Sequence, residues 1–234
     1  MKTNLLNLPK VKDVYITMLP GDDYKDVAKK ATELVKSGFN AVPHFPARSI
    51  KNLKDLKDYV SRCKEGGVKQ ALLIGGSSQP IGDFHSSLQL LETKLFEGWK
   101  IGIAGHPEGS PDISDSDLEK AMIDKKPYAN YIVTQWALNA DSIIKFISKQ
   151  KLPVHVGITG PLKITSLLKF ANIVGAKNSI NFLKSNMTKA VDLLKPKDPK
   201  DIIEKLKGST GNFHIYTFGG LKETNKWLME NNYA

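Results

Sequence analysis

Short apolar runs alternate along this chain with longer stretches in which apolar residues recur every three or four positions, and the alternation persists to the C-terminus. The runs at 14–18, 39–42, 70–74, 100–104, 130–134, 154–158 and 213–218 have the length and residue types of buried strands. Seven strands are therefore predicted. The stretches between them read as amphipathic helices. DDYKDVAKKATELVKSG, residues 22–38, opens with aspartates, carries Val27, Ala31, Leu34 and Val35 on one face, and closes at Gly38. Comparable helices are predicted in KNLKDLKDYVSRCKEGG, SSLQLLETKLFEG, DSDLEKAMIDKK, ADSIIKFISKQ, PLKITSLLKFANIVG and LKETNKWLMENN.

Repeated strand and helix units of this length give either a doubly wound sheet or a (β/α)8 barrel. No GxGxxG follows the first strand, whereas polar and glycine residues follow nearly every strand, so an α/β fold of the TIM-barrel type is expected. A barrel has eight strands and the pattern supplies seven. Strand 1 is accordingly expected to be missing from this sequence, or the barrel to be open at one side. No composition shift marks a boundary, so residues 1–234 are expected to form a single domain, with LLKPKDPKD as a short connector between helices.

Composition narrows the function classes. With 234 residues, 41% hydrophobic and 25% charged, the chain can bury a sizeable core. Its longest apolar runs are far too short to span a membrane, and MKTNLLNLPK lacks a signal-peptide core, so a cytoplasmic protein without membrane association is expected. The single cysteine, Cys63, excludes an intramolecular disulfide framework and a cysteine-based zinc cluster. The net charge of +10 would suit a polyanion, but only Arg48 and Arg62 are arginines, and the lysines are scattered among acidic neighbours as on solvated helix faces. Nucleic acid is not the expected partner.

In a barrel the carboxyl ends of the strands face the site. Here they read MLPGDD, PHFPARS, IGGSSQPIG, GHPEGSPD, TQWALN, GITGPLK and TFGGLK. IGGSSQPIG can bring backbone amides close to a phosphate or ring system, or be a plain turn. His44, His106, His155 and His214 lie in or just after strands, where a histidine is ordinarily a packed structural residue. His44 and His106 stand out because each sits at a predicted strand exit beside a proline. With Glu108 they could ligate a metal, but the HxH pair and the carbamylated-lysine or aspartate pattern of metal-dependent barrel hydrolases are not visible, and no metal is expected. Glu108 could act as a general acid, hydrogen-bond a ligand, or simply accept backbone N–H bonds in its loop. The Gln135 amide could pair with a heterocycle edge or serve as a cap, and Phe170 reads by default as core.

Taken together, YITMLPG, VPHFPARSI, LLIGGSSQPIGDFHSSL, IGIAGHPEGSPD, YIVTQ, GITGPLKITSLLKFA and FHIYTFGGL resemble the methylenetetrahydrofolate reductases, in order and approximate spacing over essentially the whole chain. The likeness is to the branch carrying PHFPAR and YTFGG. It implies a flavin-dependent oxidoreductase of folate one-carbon metabolism that holds FAD at the strand ends, with NAD(P)H and tetrahydrofolate derivatives using the same face in turn. By position it implies that Thr17, His44, Gly75, Gly76, Ser77, Ala104 and His106 line the FAD and that Lys125 approaches its phosphates. Gln135 would hold the pterin, and Phe170 would pack near the substrate. The family's acidic residue on the first barrel strand has no counterpart here, and its usual aspartate after the paired glycines is Ser77; Ser166 and Gly220 replace two other substrate-contacting residues. The catalytic acid is therefore unassigned. These departures leave open a flavin-independent folate-binding protein, or a partner subunit in one-carbon catabolism, and an open seam would favour a homo-oligomer.

Overall fold

The computed structural model describes residues 13–76, 79–110, 113–163 and 196–233. It is an α/β fold. Among these residues the strands are β1 (Asp13–Ile16), β2 (Asn40–Pro46), β3 (Gln70–Ile74), β4 (Lys100–Gly105), β5 (Tyr131–Trp136) and β6 (Val154–Thr159), then a two-residue antiparallel pair, β7 (Leu162–Lys163) with β8 (Pro196–Lys197), and finally β9 (Phe213–Tyr216). All except β7 and β8 run parallel to their paired neighbours. The helices are α1 (Tyr24–Lys36), α2 (Leu53–Glu65), α3 (Ser87–Glu92), α4 (Asp115–Lys125), α5 (Ala140–Ser148), α6 (Lys200–Lys205) and α7 (Leu221–Glu230). No described helix is long and apolar enough to cross a membrane. The chain divides into two compact units, Met1–Ala104 with Ile123–Asn130, and Gly105–Met122 with Tyr131–Ala234.

In the first unit the strand order is β1-β2-β3-β4, with Tyr15 opposite Val42, His44 opposite Leu72, and Leu72 opposite Gly102. Parallel neighbours cannot be joined by a tight turn, so each is reached through a crossover. The predicted caps form: Asp23 accepts from Lys25 N at the start of α1, and the chain leaves that helix through Gly38 at φ +87°. Val27, Ala28, Ala31 and Leu34 of α1 are buried, as are Leu56, Tyr59, Val60 and Cys63 of α2. Phe45 is fully buried, stacked on Tyr59 at 4.0 Å between ring centroids and met edge-on by Phe96 at 5.0 Å. Tyr59 also donates its buried hydroxyl to the His44 carbonyl at 3.0 Å, which ties α2 to β2.

Three expectations are corrected here. β2 does not end at residue 42 but continues through His44 to Pro46, because both faces of this strand are buried and its carbonyls still find partners despite the two prolines. The helix expected across 86–98 stops at Glu92: Thr93 Oγ1 turns back onto Leu90 O at 2.6 Å, and Lys94 adopts φ +59°, which frees Phe96 to reach Phe45. The supposed connector LLKPKDPKD contributes β8 and the first residues of α6. The helix predicted in PLKITSLLKFANIVG falls mostly outside the described residues; its first residues include β7.

In the second unit the order is β5-β6-β9. The β5–β6 ladder shifts register between Val133 and Trp136: Val133 faces His155, while Trp136 faces Gly157. β5 thus carries one extra residue, a bulge. Thr134 fills the gap, its Oγ1 accepting from Gly157 N at 2.8 Å and donating to Gln135 O at 2.8 Å. Tyr216 of β9 donates its hydroxyl to Thr134 O at 3.0 Å. Gly157 makes this crossing possible, since a Cβ there would stand 2.5 Å from Thr134 O and 2.7 Å from the Tyr216 ring. Backbone cannot step aside as a side-chain tip can. Gly157→Ala is therefore expected to lower the unfolding free energy by about 2 kcal/mol or more, whereas Gly211→Ala, where nothing lies within 4 Å, should change it by less than about 0.5 kcal/mol. Urea denaturation of the two variants checks the contrast.

Candidate functional site at the strand ends

Each unit gathers several of the proposed site residues at the carboxyl ends of its parallel strands. In the first unit these are Thr17, exposed just after β1; His44 in β2; Gly75 and Gly76 directly after β3; and Ala104 near the end of β4. Phe45 points to the helix layer, so the alternation of a strand puts His44 on the opposite face, in one row with Leu72 and Gly102. Lys125, at the end of α4, belongs to this unit as well; burial pulls its ammonium below the ordinary value, with Asp124 opposing.

His44 is the unusual residue of this face. It is 7% exposed, and neither ring nitrogen has a hydrogen-bond partner among the described residues. The Tyr15 ring meets it edge-on at 6.1 Å between centroids. Burial alone pushes its pKa down to about 4, so the imidazole is neutral at physiological pH. A neutral imidazole carries one donor and one acceptor, and leaving both unsatisfied in the interior costs about 1–3 kcal/mol per group. The orphaned nitrogens fit a residue that completes its bonds on a ligand.

The paired glycines are held by a residue the motif reading passed over. Arg48 N donates to Gly75 O at 3.0 Å, its Nη1 to Gly76 O at 3.3 Å and its Nε to His85 O at 3.1 Å, while its carbonyl accepts from Ile81 N at 3.0 Å. Gly76 stands at φ +90°, and a Cβ on it would come 3.3 Å from Pro46 Cβ. The available signal was that Arg48 is one of two arginines and directly follows PHFPA. Ser77 lies outside the described residues.

In the second unit the loop after β4 carries His106 and Glu108 beside Gln135 of β5. Glu108 Oε1 accepts from Leu138 N at 3.4 Å and Asn139 N at 3.3 Å, ahead of α5, which Asn139 caps through Ser142 N. Gln135 Nε2 donates to Gly109 O at 3.1 Å. Three bonds thus lace this loop to β5 and to the start of α5. Glu108 accordingly takes the backbone-accepting role that was one of its three readings. His155 stacks on Tyr131 at 4.7 Å, and His214 meets Tyr216 at 4.5 Å, as packed structural histidines do. Gly220 precedes α7. Phe170 and Ser166 lie outside the described residues. Among those described, no group of three metal-ligating side chains comes together.

No family model matches the chain. Among solved structures it is similar to one titled "Crystal structure of a putative lyase/mutase from Burkholderia cenocepacia J2315", with a TM-score of 0.51 and 10% sequence identity, over 89% of this chain and 87% of that one. At that identity the likeness shows a shared α/β fold.

The buried imidazole makes stability depend on pH. In the unfolded chain His44 protonates near 6.5, in the folded one only near 4, so the unfolded state binds the extra proton in between. Unfolding free energy is expected to fall as pH drops from about 6.5 to about 4, by an amount on the order of 3 kcal/mol, and to level off below that window as far as this group is concerned. His44→Leu should flatten the slope, as urea midpoints measured across that range will report.

Proposed function

We propose that this chain is a flavin-dependent oxidoreductase of folate one-carbon metabolism, interconverting 5,10-methylenetetrahydrofolate and 5-methyltetrahydrofolate with NAD(P)H, on a barrel of the (β/α)8 type. The reading rests on the ordered set of reductase-like motifs. It is supported by one observation above others: His44, a buried and uncharged imidazole whose two nitrogens have no partner among the described residues, stands on the same sheet face as the strand-end positions that the motifs assign to the flavin.

The residues present fit the cofactor. His44 offers a donor and an acceptor without a charge, and Gly76, where a Cβ would crowd Pro46, leaves backbone accessible to a ring or phosphate. Thr17, His44, Gly75, Gly76 and Ala104 of the first unit would hold FAD, with Lys125 toward its phosphates. When bound, FAD supplies hydride-transfer chemistry between the nicotinamide and the folate. The chain's own work is orientation. Gln135, its Nε2 occupied by Gly109 O, presents a carbonyl oxygen that can accept from an N–H on a pterin edge. The buried walls around His44 exclude water and keep the imidazole from taking up a proton.

A flavin-independent folate binder, or a partner subunit in one-carbon catabolism, is the second reading, favoured by Ser77 at the position of the family's aspartate. The visible absorption spectrum of purified protein, recorded after adding FAD and removing the excess, separates them. The reductase reading expects a retained flavin band, and His44→Leu should weaken FAD binding about tenfold, the scale of one buried hydrogen bond. A protein that binds 5-methyltetrahydrofolate and retains no flavin belongs to the second reading.

A further inference from the structure

We propose that Arg48 forms an anion subsite at the strand ends of the first unit, taking a phosphate or carboxylate group of the bound ligand. The assignment of that ligand rests on the reading above; the subsite itself rests on the geometry of the arginine.

A guanidinium has five N–H donors and a charge that persists at every physiological pH. Arg48 spends Nε on His85 O at 3.1 Å and one Nη1 proton on Gly76 O at 3.3 Å. Both acceptors are uncharged carbonyls. Among the described residues Arg48 has no carboxylate within ion-pair distance, whereas the other arginine, Arg62, is bonded to Asp58 Oδ2 at 2.7 Å. The Arg48 backbone is fixed too, through Gly75 O and Ile81 N. The side chain is half-buried at the end of β2, beside the turn that Gly76 enters at φ +90°.

An unpaired but immobilised guanidinium is what oxyanion recognition requires. Two bonds to backbone carbonyls set the plane of the fork, so little rotamer freedom remains to be lost when an anion arrives. The remaining N–H groups can then meet two oxygens of one phosphate or carboxylate side by side. A purely structural clamp of the glycine turn would work with an amide. The retained positive charge is the part that a structural role does not use.

Two chemistries share this site, a phosphate of the flavin cofactor and a glutamate carboxylate of the folate, and the test separates them. Because the chain contains only two arginines, their Nε resonances in a 15N spectrum are assigned by Arg48→Lys and Arg62→Lys alone. Inorganic pyrophosphate, and separately glutarate, is titrated into the wild-type protein. Arg48 is expected to shift saturably while Arg62 stays in place; no shift with either anion, or equal non-saturating shifts in both arginines, overturns the subsite. Arg48→Gln is then compared on matched pairs, FAD against riboflavin and 5-methyltetrahydrofolate against the same pterin without its glutamate. A loss of tenfold or more for the anionic member, with its uncharged counterpart unchanged, identifies the group; equal losses within both pairs would reduce Arg48 to a loop clamp. If wild-type protein binds neither FAD nor folate, the functional reading fails, and the pyrophosphate and glutarate titrations still decide the subsite.

Discussion

Parallel pairing of short strands is the constraint on which the rest of this structure depends. A parallel neighbour can be reached only by returning the chain along the outside, so all strands of a parallel ladder end at the same edge of their sheet. That is why Thr17, His44, Gly75 and Ala104, scattered over nearly ninety residues, stand together at the ends of β1 to β4 in the first unit. It also explains the strand composition: with both faces to bury, Val42, Phe45, Leu73 and Ile103 are apolar without strict alternation. Against that background a buried histidine is conspicuous.

The exits from the strands are organised by side chains that replace ladder bonds. In the first unit Arg48 gathers the turn after β3 onto the end of β2, through three donated bonds to backbone carbonyls. In the second, Thr134 substitutes its hydroxyl for a backbone partner at the bulge, and Tyr216 closes over it with a hydroxyl that burial holds in the protonated form. Glu108 and Gln135 then fasten the loop after β4. Such substitutions let a strand end present a chosen side chain without leaving backbone groups unsatisfied. They also explain why glycine recurs there, since Gly157 and Gly76 occupy places where a Cβ would press on Thr134 O or Pro46.

Much of this was legible in one dimension. Apolar run length located the seven main strands to within a few residues, and the aspartate and glycine flanking α1 marked both of its ends, because caps and periodicity are local properties. The strand-exit histidines could be singled out for the same reason. The misjudged boundaries arose where local rules met tertiary ones. Proline at 43 and 46 argued for leaving the strand, yet burial on both faces carried β2 through to Pro46. LETKLFEG kept a helical pattern, yet Phe96 was needed against Phe45.

The sequence by itself determined the α/β pattern of the chain, the order of its elements, its helix caps, and which residue types stand at the strand exits, since all of these follow from spacing and from backbone preferences of single residues. Only the tertiary structure decided what those residues do. His44 became a neutral imidazole, without a partner among the described residues, because packing removed water from around it, and Glu108 became a backbone clamp because the start of α5 lies within reach. Arg48 has no carboxylate partner among the described residues, and its side chain donates to backbone carbonyls instead. Burial and partner identity depend on contacts between segments far apart in the chain, and no local pattern encodes them.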